Sequence, residues 1–194
     1  MISRQVSSAA TKSVRISSPI TSPTITVLYH YFHPDDVISA RHFDGLCQGL
    51  TERGWRVLAR PCNRGCRDET RTYPLAEDWR GIRIRRVWRP RLRQSSNIGR
   101  MLNAGWLIAA WSLTTGGSKP NILLIGTDPI LSVLVAAFWR LTRRRVRIAH
   151  WGFDLYPEAP VADGMLRSNS LLVRCMKGAL RIAYRCCDLI RPTR

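Results

Sequence analysis

Two carboxylates four positions apart, Asp154 and Glu158, follow an apolar run that also carries a histidine: Ile148 to Pro160 reads IAHWGFDLYPEAP, with His150 inside the run. An acidic side chain on a loop can orient a hydroxyl or take its proton, provided that it lies within hydrogen-bond reach. The run cannot continue as a strand through Pro157, which removes a ladder donor and drives Tyr156 toward an extended conformation. Both carboxylates are therefore expected on a turn, at the carboxyl end of a strand, where open α/β sheets place their chemistry. A plainer role stays open for each: Asp154 as a cap of the following segment and Glu158 as a solvated side chain.

A second group lies in the loop His30-Tyr-Phe-His-Pro-Asp-Asp36, which holds His30, His33 and Asp35. It lacks the glycine pattern of a dinucleotide fingerprint or a P-loop, which argues against a Rossmann cofactor and a P-loop nucleotide, and no cofactor is expected. No serine nucleophile elbow is present, and His30 and His33 sit at a strand end before proline rather than on a metal-binding helix. Cys62 and Cys66 have no second cysteine pair or nearby histidine at zinc-ligand spacing, so no metal is expected either. Thr127 and Asp128 follow another apolar run, where helix capping explains them as well as ligand binding does.

The elements that must position these groups alternate. Thr24 to Phe32 (TITVLYHYF) is rich in β-branched and aromatic residues, as expected of a buried parallel strand. Ser39 can cap a helix with apolar positions Phe43, Leu46, Cys47 and Leu50, which Gly54 ends as a left-handed cap, and Trp55 to Ala59 supplies the next strand. Residues 63–79 read as an irregular excursion, and Gly81 to Trp88 (GIRIRRVW) as an edge or half-exposed strand. Ile98 to Leu113 is a very apolar helix, Asn121 to Ile125 a strand, Pro129 to Leu141 a helix starting on proline, and Val146 to His150 a strand. A last helix over Ser168 to Arg185 precedes an apolar start at Asp188 to Ile190. The pattern predicts an α/β fold: one Rossmann-like, doubly wound parallel sheet with helices on both faces. Residues 1–23, polar and free of acids, read as a flexible tail, and 24–194 as one domain.

The net charge of +18 comes from 31 basic and 13 acidic residues, and the basic set is almost all Arg. Between Trp79 and Thr127 there is no acid. Arg83, Arg85, Arg86, Arg89, Arg91 and Arg93 fall in that stretch with Trp106, and they form a candidate patch for phosphates or an anionic membrane surface. A merely solvated face explains the charge run equally well. The six cysteines come without an apolar leader, which implies free thiols in a reducing, cytoplasmic setting, with a role on the inner membrane face left open.

Taken together, VLYHYFHPDD with ARHFDGLCQGLTERGWRVLARP, then GIRIRRVW, LLIGTDPI and RIAHWGFDLYPEAPVADGML, in this order and spacing, resemble the N-terminal domain of family-4-like glycosyltransferases of the GT-B fold. The similarity runs from about Thr24 to Ile190, and Asp-Leu-Tyr-Pro-Glu is its most distinctive part. The resemblance implies half of a GT-B fold: an acceptor-binding domain facing a separate domain that holds a nucleotide-sugar. It implies that Asp154 and Glu158 lie on the cleft rim, with Asp154 orienting or deprotonating the acceptor. It also implies that His30, His33, Asp35 and Arg41 contact acceptor or donor phosphate, with Thr127, Asp128 and His150 on the same rim. The acceptor would be a polysaccharide or lipid-linked glycan.

Two departures stand out. Asp36-Val-Ile-Ser39 sets bulk where many members carry a Gly-Gly pair that admits donor phosphates, and 194 residues leave no room for the donor domain. The chain is thus expected to be half an enzyme, a truncated homologue, or a subunit completed by a partner chain. A non-catalytic interaction protein is the alternative, and a basic nucleic-acid binder ranks below both, since only charge supports it.

Overall fold

The computed structural model describes residues 22–92, 96–113, 119–153, 167 and 169–192. One seven-stranded sheet organises them: β1 (Thr24–Leu28), β2 (Arg56–Ala59), β3 (Ala76–Trp79), β4 (Ile82–Arg85), β5 (Ile122–Gly126), β6 (Arg147–Gly152) and β7 (Leu189–Pro192). The helices among the described residues are α1 (Ile38–Glu52), α2 (Asn97–Leu113), α3 (Leu134–Thr142) and α4 (Leu171–Arg185). The strand order is β3-β4-β2-β1-β5-β6-β7, and every pair is parallel except β3 with β4. This is the doubly wound α/β architecture that the alternation of apolar runs predicts.

The central strands are apolar because both of their faces are covered. On one face Leu123, Ile125 and Ile148 pack with Leu107 and Trp111 of α2, Trp139 of α3 and Leu180 of α4. On the other, Val27, Val57, Ile84 and Leu124 pack with Phe43 and Cys47 of α1. Two buried indoles keep their N–H groups satisfied, Trp111 donating to the Arg60 carbonyl at 2.8 Å and Trp139 to the Trp111 carbonyl at 3.0 Å. That pairing is what burial of tryptophan demands.

Several boundaries differ from the sequence expectation for physical reasons. Helix α1 starts ahead of Ser39, with Val37 as an extended cap that makes no side-chain bond, because the Arg41 N–H already reaches the Val37 carbonyl. Gly54 does adopt the left-handed conformation, at φ +80. The excursion is not irregular throughout: Ala76–Trp79 pairs antiparallel with β4, so β3 and not β4 is the sheet edge. The turn between them has positive φ at both Arg80 and Gly81, the backbone of a two-residue hairpin whose usual Asn-Gly signature is absent here. Pro129 does not open α3. Turns through Val133 come first, held by the Ser132 N–H on the Pro129 carbonyl and the Leu134 N–H on that of Leu131.

Candidate functional site

The chain winds from β1 out through β2 to β4, then returns to β5 beside β1 and continues to β6 and β7. β1 and β5 thus flank the point where the winding reverses, the position at which open α/β sheets bind ligands beyond the carboxyl ends of their strands. His30 follows β1 and Asp128 follows β5. The two are joined twice, by the His30 N–H on the Asp128 carbonyl at 3.1 Å and by Nδ1 of His30 lying 3.3 Å from Oδ2 of Asp128. The Nδ1 contact lacks hydrogen-bond alignment, so Coulomb attraction carries it. On the other side of the ring, Arg89 Nη1 approaches Nε2 at 3.4 Å.

Burial works against a charged His30, but the Asp128 carboxylate, helped by Cys62, outweighs it and pushes the pKa up to about 9. Asp128, His30 and Arg89 thus form one spatial string, and Arg89 can donate to Nε2 only while that nitrogen is unprotonated. Tyr31 stacks on the imidazole at 4.0 Å between centroids. Arg89 is fully buried, its N–H donates to Asn63 Oδ1 at 2.9 Å, and its carbonyl accepts from Arg64 Nε at 2.9 Å. Side-chain exposure separates the roles: 5% for His30 and 41% for Asp128. Within the string, the carboxylate is the group that meets solvent, and the imidazole and guanidinium stand behind it.

The other sequence candidates disperse around this centre. Asp35 serves the fold, its Oδ1 accepting from the Cys66 N–H at 3.0 Å and the Tyr73 hydroxyl at 3.2 Å, which pins the excursion to the first loop. The His33 ring stacks on Trp79 at 4.0 Å, the His33 backbone N–H donates to Asp44 Oδ1 at 3.2 Å, and burial draws the imidazole pKa down. Arg41 is exposed and paired with Asp36. Thr127 ties two strand ends together: its hydroxyl donates to the Trp151 carbonyl at 3.1 Å and accepts from the Phe153 N–H at 2.7 Å. His150 is buried beside Tyr184, and burial pushes its pKa down to about 4, so it stays neutral. Asp154, Glu158 and Arg93 lie outside the described residues.

The charge patch needs correction. Arg86 and Arg89 are buried and cannot belong to an anion-binding surface. Arg86 has protein partners for its charge: Glu77 Oε2 at 2.7 Å, with the Pro74 and His33 carbonyls at 2.9 and 2.6 Å. Arg83 and Arg91 are exposed and Arg85 half-buried, and Arg83 lies across from Asp78 in the β3–β4 register. Trp106 is exposed, with its indole N–H on the Trp88 carbonyl at 2.7 Å. Arg89 is the site residue that sequence reasoning assigned to the wrong place. Within a run of arginines nothing distinguishes the one that turns inward, although the following Pro90 marks the bend.

Among the described residues no group of three or more His, Cys, Asp or Glu side chains is arranged to hold a metal ion. No protein-family model and no curated protein matches the sequence. Among solved structures, the fold is similar to that of a sucrose-phosphate synthase from Thermosynechococcus elongatus, with a TM-score of 0.56 and 13% sequence identity, over 87% of this chain and 41% of that chain. The likeness is one of fold, a doubly wound α/β domain. Aligned over less than half of the neighbour's length, this domain corresponds in size to part of such a protein rather than to all of it.

Proposed function

We propose that this domain forms the acceptor-side wall of a family-4-like sugar transferase, acting on a polysaccharide or lipid-linked glycan. The observation that carries the reading is the Asp128–His30–Arg89 string at the reversal point of a glycosyltransferase-like sheet. Asp128 offers an exposed carboxylate that a sugar hydroxyl can reach and donate to, and the buried pair behind it fixes its direction. In this reading Asp154, next in sequence after the anchored Phe153, takes the hydroxyl proton, and Glu158 assists. The hydroxyl oxygen then bonds to the anomeric carbon as the nucleoside diphosphate leaves. The nucleotide-sugar is held by a donor domain, supplied by a further segment or a partner chain.

Transfer from nucleotide-sugars to lipid-linked and polysaccharide acceptors, with the chain alone and with extract of its native cell, tests this. Asp128→Asn is expected to raise KM for the acceptor by ~10-fold, the worth of one charged hydrogen bond. Asp154→Asn is expected to lower kcat with acceptor binding unchanged. Absence of transfer in every combination refutes the reading. A second reading, a non-catalytic interaction subunit, is favoured by the burial of His30 and Arg89, which keeps both side chains out of reach of a bound hydroxyl and leaves Asp128 as the member of the string that meets solvent. It predicts acceptor binding that Asp128→Asn weakens and Asp154→Asn leaves alone, with no transfer in extract.

A further inference from the structure

His30 and Asp128 stand beyond the carboxyl ends of the parallel strands. At the amino ends of β1, β5 and β6, on the opposite edge of the sheet, the surface is hollowed into an open cavity of about 770 Å³. That volume lies in the range of roughly 300–1,000 Å³ typical of small-molecule sites. Five cationic residues line it, Lys119, Arg143, Arg144, Arg145 and Arg147, and among the described residues no acid does. The half-buried Trp55, with Pro23 and Ile122, adds an apolar part to the wall.

The fold holds this wall in place. Arg143-Arg144-Arg145 follows α3, and the chain turns there, with the Val146 N–H donating to the Arg143 carbonyl at 3.1 Å. Val146 is buried at the entry to β6 while Arg144 and Arg145 stay exposed, and the Arg143 guanidinium stacks 4.1 Å from the centre of the Trp139 ring. The floor is tied across three strands. The Asn121 N–H donates to the Thr24 carbonyl at 2.9 Å, Asn121 Oδ1 accepts from the Thr24 N–H at 2.7 Å, and the Arg147 N–H donates to the Asn121 carbonyl at 3.1 Å.

Structural roles do not account for so many cations. A helix carboxyl end favours a positive charge, but Arg140 already stands in the last turn of α3, and Lys119 comes from a different part of the chain. Asp188 feels Arg147, yet it is bonded by Arg140 Nη2 and by the Ile148 N–H, both at 2.7 Å. Among the described residues, Lys119, Arg144 and Arg145 have no carboxylate within ion-pair distance. Like charges gathered on one concave wall repel each other, and they raise the local concentration of an anion that relieves the repulsion.

We infer that this cavity binds a small anion carrying several linked phosphates, either inorganic or as the tail of a nucleotide. Guanidinium forks match phosphate oxygens two at a time, and a run of linked phosphates supplies several negative charges in a volume that one carboxylate cannot. A nucleic-acid duplex carries its phosphates on a convex surface and meets only the rim. The site lies across the sheet from the proposed acceptor edge, so the inference does not depend on sugar transfer and would survive its failure.

The full chain is titrated calorimetrically with orthophosphate, pyrophosphate, tripolyphosphate and ATP. Affinity is expected to rise by about tenfold with each added phosphate, the worth of one charged hydrogen bond. The ratio of ATP to tripolyphosphate affinity identifies the source, since a nucleotide gains from the Trp55 wall and an inorganic chain does not. Because the whole chain is strongly basic, the control is matched in charge. Combining Lys119→Ala, Arg144→Ala and Arg145→Ala, all at exposed positions, should weaken tripolyphosphate by ~30-fold or more without lowering the unfolding midpoint. Arg145→Ala alone should cost about fivefold. Combining Arg100→Ala, Arg174→Ala and Arg181→Ala, equally exposed but outside the cavity, removes the same charge and should change affinity by less than about threefold. Equal losses in the two triple variants, or affinity that does not rise from orthophosphate to tripolyphosphate, overturns the inference. So does duplex DNA that the parent binds, and the cavity variant does not, while tripolyphosphate fails to bind.

Discussion

Gly126 ends β5 two residues before Asp128, and an alanine there has no space. Its Cβ would lie 2.3 Å from Cδ2 of Tyr29 and 2.7 Å from Cζ of Phe43, whereas non-bonded carbons rest at about 3.5–4 Å. Both rings would have to retreat by about 1 Å. They are buried and stacked on each other with centroids 4.1 Å apart, and Phe43 also meets Trp151 and Phe153. Overpacking of this kind costs about 1–3 kcal/mol, and the upper end is expected for Gly126→Ala because side chains on two elements must shift together. For a chain of this size that corresponds to a fall in Tm of roughly 6–12 °C. Urea unfolding followed by tryptophan fluorescence, with calorimetry, reads the loss. Phe43→Leu makes room, so in that background Gly126→Ala should cost less, with a coupling of about 1 kcal/mol or more in the double-mutant cycle. A Gly126→Ala protein with the parent's midpoint, or a cycle without coupling, would refute the steric argument.

Three further outcomes follow from the site. Because the His30 pKa, at about 9, lies above its ordinary 6.5, the stability it contributes, on the order of 3 kcal/mol, is complete below about pH 6.5 and lost as pH rises through about 9. Asp128→Asn removes the carboxylate that raises it. The His30 ring proton, followed by NMR, should then titrate below 6.5, and a value remaining near 9 would show that Asp128 is not the cause. Arg86→Ala takes the partner from a half-buried Glu77 and from two carbonyls and should destabilise by about 1–3 kcal/mol in urea unfolding, whereas a true surface arginine would cost almost nothing. Asp35→Ala leaves the Cys66 N–H and the Tyr73 hydroxyl without their acceptor, at about 1–3 kcal/mol, and hydrogen exchange at the Cys66 amide should quicken if this carboxylate holds the excursion.

The strands and helices of the core are legible in the chain because burial on both faces demands apolar runs. TITVL, ILLI and RIAH announce β1, β5 and β6 for that reason. β3 is not legible. AEDW has no strand pattern, and its pairing is set by the backbone of Arg80 and Gly81 together with an available edge on β4. Of the site, His30 and Asp128 are legible one at a time, as polar residues at the ends of apolar runs. Their partnership is not, since it exists only because β1 and β5 are neighbours in the sheet.

Arginine shows the division most plainly. The sequence alone determines a strongly basic chain, an alternation of strands and helices, and histidines and acids at strand ends, because these depend on residue type and period. Tertiary structure decides that Arg89 faces His30, that Arg86 is neutralised by Glu77, and that Arg91 reaches solvent. The same side chain takes all three fates because a charge settles where its partners are, and partners are brought together by the order of strands rather than by their spacing along the chain.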